Sequence, residues 1–135
     1  WQNENMDYSM YSKEMILLDT GFGAIKDSLS LDEMKANDKE IWEHYDFKLV
    51  TSPPVLLPGV NPQTKKADGS VRHYSTWEVT LPATDSTEAR SGNIKLYESF
   101  DFDADGKIVF QQAYGDFTGL MMYLNSSDDD GDMED

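Results

Sequence analysis

The sequence predicts an α+β fold in which helices cover one face of a curved antiparallel sheet. Three observations carry this expectation. Ser30 and Glu33 stand at capping-box spacing ahead of an apolar stripe of helical period. Residues 71–81, 94–102 and 107–116 alternate apolar and polar side chains, as half-buried strands do. Asp105-Gly106 joins the last two of these runs with a hairpin turn. Helices followed by a run of strands is the order of an α+β domain.

Residues 1–13 are polar, with Trp1, Met6, Tyr8, Met10 and Tyr11 interspersed, and a helical turn is expected near residues 5–11. Residues 14–19 (EMILLD) read as a short buried strand, and residues 20–27, with two glycines, as a loop. A helix starts after Ser30 and ends near residues 44–46. Leu31, Met34, Ile41, Trp42 and Tyr45 form its apolar face; Asp32, Lys35, Asp38, Lys39 and Glu43 are assigned to the polar face. Residues 47–57 are extended, with Pro53-Pro54 marking a sheet edge or bend. A turn-rich stretch, residues 58–69, leads to the long β-branched and aromatic strand 71–81. A polar turn precedes the last two strands, and residues 117–124 close the domain with a helical turn or an extended stretch. The domain is expected to span residues 1–124, with an acidic, disordered tail over residues 125–135.

The chain has 135 residues, enough for one domain, and its 3 Trp, 7 Tyr and 6 Phe can fill a core. No apolar run is long enough for a membrane span. A net charge of −15 opposes nucleic acid and anionic membrane surfaces as partners. No cysteine is present, so disulfide and thiolate chemistry are excluded. That absence leans towards the cytoplasm, while the start at Trp1 leaves open an exported precursor with a removed signal peptide.

Asp101, Asp103, Asp105, Gly106 and Ile108 match the first part of a calcium loop. Position twelve is Gln112 where a bidentate Glu is needed, and the flanks alternate with period two rather than forming helices. A hairpin turn is therefore expected and no metal. Of the two histidines, His44 sits at a helix end, where it meets terminal carbonyls, and His73 lies in the long strand. Without a tight carboxylate cluster they do not predict a transition-metal site.

The segments LLPGVNPQTKKADGSVRHYSTWEV and GNIKLYESFDFDADGKIVFQQAYGDFTGL together resemble bacterial SnoaL-like proteins of the nuclear transport factor 2-like superfamily. The likeness covers residues 31–124. It implies a cone-shaped, strongly curved sheet, helices on the concave face, and a homodimer formed through the convex face. It also implies a long N-terminal helix, which is missing or truncated in this chain.

By the same resemblance a late-strand aspartate acts as general acid/base, which points to Asp116. Tyr114 would orient a substrate oxygen, and His73 is a further candidate acid/base. A carboxylate in an apolar pocket has its pKa raised towards working pH, which suits proton transfer. The bland alternative makes Asp116 a cap for the next turn and Tyr114 a core residue. Phe110 and Gln112 share the strand face of Tyr114 and Asp116, so they are pocket candidates with Trp42, Tyr45, Trp77 and Tyr97. Which face of strand 71–81 is concave stays open at this stage. The expected function is a pocket for a small, largely apolar molecule, without a cofactor. The alternatives are a cofactor-independent isomerase, cyclase or dehydratase, and a non-catalytic dimeric interaction domain.

Overall fold

The computed structural model describes residues 1–127; the acidic run from residue 128 onward lies outside the described residues. Seven strands form one curved, open sheet, with two helices packed on its concave side. The strands are β1 (Tyr11–Leu18), β2 (Ser28–Leu29), β3 (Asp46–Leu49), β4 (Val55–Val60), β5 (Ala67–Leu81), β6 (Arg90–Phe102) and β7 (Ile108–Tyr114). The helices are α1 (Leu31–His44) and α2 (Phe117–Leu124). The order across the sheet is β2-β1-β7-β6-β5-β3, and β4 pairs with β5 on the same edge as β3. Pairing is antiparallel except between β1 and β7, which run parallel.

Helix α1 starts where the capping box predicts. The Ser30 hydroxyl accepts from the Glu33 amide at 3.2 Å, and the Glu33 carboxylate accepts from the Ser30 amide at 3.4 Å. His44 meets the Glu40 carbonyl at 2.8 Å in the last turn, as a histidine at a helix C-terminus should. Before β1 the described residues hold a single 3-10 turn, Tyr8–Met10, within the stretch where the sequence suggested a helical turn. Residues 51–54 split the edge strand: β3 pairs with the C-terminal half of β5 (Leu49↔Trp77) and β4 with the N-terminal half (Val55↔Tyr74). Pro53-Pro54 is the break between them.

The β6–β7 connection is a hairpin turn. Asp103 accepts from the amides of Asp105 and Lys107, both at 2.9 Å, and Gly106 takes the left-handed conformation (φ 76°) that the turn requires. The carboxylate that a calcium loop would have used is thus spent on the turn itself.

Just beyond that turn β7 carries a β-bulge. Phe102 pairs with Ile108 and Asp101 with Phe110, so Val109 is the extra residue. The bulge reverses the alternation. Ile108 is buried against Tyr11 and Met15, yet Phe110, two residues on, faces the other side of the sheet beside Ile16 and Asp101.

Two separate cores result. Tyr11, Met15, Leu31, Met34 and Ile108 pack where α1 meets β1 and β7. Val79, Ile94, Leu120 and Leu124 pack where α2 meets β5 and β6. The space between them is not filled by either.

Because α1 supports the first core, its cap should be felt globally. Ser30→Ala is expected to lower the unfolding free energy by about 1 kcal/mol, read as a shifted urea midpoint at unchanged slope. An unchanged midpoint would show that the cap contributes nothing.

Candidate functional site

Between the two cores lies a cavity of about 620 Å³. Its floor is the concave face of the sheet, where Trp77 and Val79 of β5, Ile94, Leu96, Glu98 and Phe100 of β6, and Gln111 and Ala113 of β7 point inward. Met34, Asp38 and Ile41 of α1 form one wall, and Phe117, Leu120 and Met121 of α2 another. The N-terminal segment closes a third side with Trp1, Asn5, Met6, Asp7 and Met10. Most of this surface is apolar, and the polar groups are concentrated at two places.

The first is a row across the sheet. Residues directly opposite on neighbouring strands bring His73, Glu98 and Ala113 into line, with Gln111 one step away. His73 Nδ1 lies 3.4 Å from Glu98 Oε1. Gln111 Nε2 donates to Glu98 Oε2 at 3.4 Å, and the Tyr11 hydroxyl donates to Gln111 Oε1 at 2.7 Å. The side chains of Glu98 and His73 are 17% and 18% exposed. Burial pushes the Glu98 carboxyl above its ordinary value, against the opposing pull of His73 and the Gln111 hydrogen bond.

The second is Asp38 on α1. It is 9% exposed and accepts a hydrogen bond from the Tyr8 hydroxyl at 2.8 Å. Burial pushes its carboxyl up as well, partly offset by that hydrogen bond. The two places are close enough to act on one group. The Tyr11 hydroxyl is raised first by its own burial, then by the charges of Glu98 and of Asp38.

An aromatic cluster stands at another part of the wall. The Trp1 ring sits edge-on to Trp42, Phe47 and Trp77, at centroid distances of 5.3, 4.8 and 6.4 Å. Trp42 lies behind Trp1 and does not itself line the cavity; its Nε1 is buried without a hydrogen-bond partner among the described residues.

No protein-family profile and no curated protein matches this chain. Solved structures do. A candidate polyketide cyclase from Xanthomonas campestris pv. campestris is 13% identical with a TM-score of 0.63, over 88% of this chain and 82% of that one. A candidate SnoaL-like polyketide cyclase from Shewanella denitrificans OS-217 is 11% identical with a TM-score of 0.58, over 87% and 80%. A nuclear transport factor 2-like protein from Burkholderia xenovorans LB400 is 11% identical with a TM-score of 0.62, over 87% and 79%. The chain has the nuclear transport factor 2-like fold. Identities this low carry the shape of the molecule and leave its chemistry to its own residues.

Within the nuclear transport factor 2-like fold, the residues expected from sequence divide between two faces. Trp77 lines the cavity, and His73 lies behind Glu98 on the same concave face. Phe110, Gln112 and Tyr114 lie on the convex face, because the bulge at Val109 turns that side of β7 outward. There Gln112 donates to Ser99 Oγ at 2.8 Å and accepts from the Tyr114 hydroxyl at 3.1 Å. Tyr97 is also convex, in a row with Tyr74 (5.1 Å between centroids) and Tyr114 (6.3 Å). Tyr45 caps the C-terminus of α1, and its hydroxyl accepts from Asn125 at 3.0 Å. Asp116 is exposed and outside the cavity. It caps α2, accepting from the Gly119 amide at 2.9 Å, which is the bland reading of that residue.

Four residues of the candidate site escaped the sequence reading. Asp38 was assigned to the polar face of α1, but Leu31, Met34, Ile41 and Tyr45 at spacings of three and four leave a gap in their stripe at Asp38 itself. Glu98 interrupts an otherwise apolar strand face between Leu96 and Phe100. An acid inside an apolar face is the signal that finds both. Tyr8 and Tyr11 carry no comparable mark.

The raised Asp38 carboxyl gives a pH signature. Its pKa is higher folded than unfolded, so the stability it contributes is present at low pH and is lost as pH rises through the folded value. Asp38→Asn, which keeps an acceptor for Tyr8, should therefore stabilise the fold at pH 7.5. The gain should shrink towards zero at pH 3.5 in urea melts. Equal effects at both pH values would contradict the assignment.

Proposed function

We propose that this protein holds a small, largely apolar molecule in the cavity between its two cores. The observation that carries the reading is the cavity itself. About 620 Å³ is the volume of an ordinary small-molecule site, and it combines an apolar lining with a few convergent polar groups. Leu17, Leu96, Phe100 and Met121 supply the apolar contact. The Tyr11, Gln111 and Glu98 row, and Asp38 with Tyr8, supply polar groups that would fix the molecule's orientation.

A second reading, a cofactor-independent isomerase, cyclase or dehydratase, is supported by the Glu98–His73 pair. A half-buried carboxylate with a raised pKa and a histidine behind it is suited to take a proton from a carbon next to a carbonyl and return it elsewhere. The Tyr11 hydroxyl lies along the same hydrogen-bonded row and would serve a substrate oxygen. The general acid/base expected from sequence at Asp116 thereby passes to Glu98. Asp116 spends its carboxylate on the α2 amide and would contribute stability instead.

Binding is tested with N-phenyl-1-naphthylamine, a neutral fluorophore that brightens in apolar sites. Wild type should brighten and saturate, and Ala113→Trp, which fills the cavity from its floor, should not, while its far-ultraviolet circular dichroism stays unchanged. Equal brightening of both would sink the pocket reading. For the enzyme reading, a panel of cyclic unsaturated ketones is incubated in deuterated water and deuterium uptake is followed by mass spectrometry. Glu98→Gln should slow uptake by about 100-fold or more, and Asp116→Ala should leave it nearly unchanged. No uptake with wild type, or equal uptake with Glu98→Gln, leaves the protein a binder.

A further inference from the structure

The cavity is apolar, yet every charged side chain on its lining has the same sign. Asp7, Asp38 and Glu98 line it, and no Lys, Arg or His does among the described residues. Asp38 and Glu98 come from different elements, α1 and β6, and both bear on the Tyr11 hydroxyl. Two positive groups already bear on these acids, the Trp1 N-terminus on Asp38 and His73 on Glu98. Asp38 has a phenol, Tyr8, and Glu98 has His73 on its far side and an amide, Gln111, on its near side. The nearest candidate cation on α1, Lys35, places its ammonium over the Tyr8 ring at 5.2 Å and does not line the cavity.

Ionised carboxylates on an apolar lining are costly even when partly offset, and a cationic ligand recovers part of that cost on binding. Elsewhere on the lining, the Trp1 ring stands edge-on to Phe47 and Trp77. Aromatic faces attract ammonium groups by their quadrupole, and more strongly when water is excluded.

Resting on the pocket reading above, we propose that the cavity selects a protonated amine carried on an apolar body. The ammonium sits against Asp38 and Glu98, and the apolar body lies along β6 and β7 against Leu96 and Phe100. An anion of the same shape is repelled, and a neutral analogue is bound by its body alone.

Three molecules with one body and three heads separate these cases. They are 4-phenylbutylamine, 4-phenyl-1-butanol and 4-phenylbutanoate, each titrated against the intact chain at pH 7 by isothermal calorimetry. A primary alkylamine is protonated at this pH. The amine should bind about ten-fold more tightly than the alcohol, and the carboxylate more weakly than either. The isosteric pair Asp38→Asn and Glu98→Gln, combined in one chain, should erase the amine's advantage over the alcohol. Each single variant should remove part of the preference, so the result does not depend on the double variant folding. An alcohol that binds as well as the amine, or a preference that survives the double variant, overturns the amine proposal and leaves the pocket reading standing. If none of the three binds and N-phenyl-1-naphthylamine also fails, the pocket reading itself falls.

Discussion

The pleat shared by β5 and β6 governs everything that happens at the centre of this molecule. The two strands pair without interruption from Val71↔Phe100 to Leu81↔Arg90. Side chains alternate between faces with period two, so this one register assigns every residue on both strands to the cavity or to the outer surface. It brings His73 opposite Glu98 and Trp77 opposite Ile94 on the concave side. On the convex side it brings Tyr74 opposite Tyr97. A slip of one residue would exchange the aromatic row of the outer face with the acid and apolar residues of the cavity. The cores at either end oppose such a slip, because Val79 and Ile94 are locked beneath α2.

The distribution of packing follows from the same architecture. Each helix buries its apolar stripe against a different part of the sheet, so apolar burial is spent at the two ends and the middle stays hollow. A hollow of this kind forgoes the dispersion contacts that a filled core would make. The polar row and Asp38 add desolvated acids to the same region. Local stability is lowered where a ligand would restore it, which is the usual relation between a binding site and its scaffold.

Much of the fold was legible in the sequence. The capping box at Ser30 and Glu33, the break at Pro53-Pro54 and the turn at Asp105-Gly106 rest on local chemistry, and local chemistry decides them. The parallel pairing of β1 with β7 was not legible, since it joins segments far apart in the chain. The site was read less well than the fold. Alternation correctly grouped Phe110, Gln112 and Tyr114 on one face, but periodicity cannot say which face is inside, and the buried Ile108 pointed the wrong way across the bulge. Trp77, one of the pocket candidates, lines the cavity. Asp38 was missed because a charged residue on a helix is ordinarily solvated, and here a tyrosine from the N-terminal segment receives it instead.

The bulge at Val109 has a consequence for how such a chain can change over generations. Substitutions along β7 alter one side chain at a time and leave its two sides where they are. Loss of the Val109 codon would remove the bulge and leave the pairing as it is, since Ile108 and Phe110 already face consecutive residues of β6. Phe110, Gln112 and Tyr114 would stay on the outer face, and Gln111 and Ala113 would keep facing the hollow. The extra residue is therefore one that a lineage could gain or lose without exchanging the groups that face the cavity.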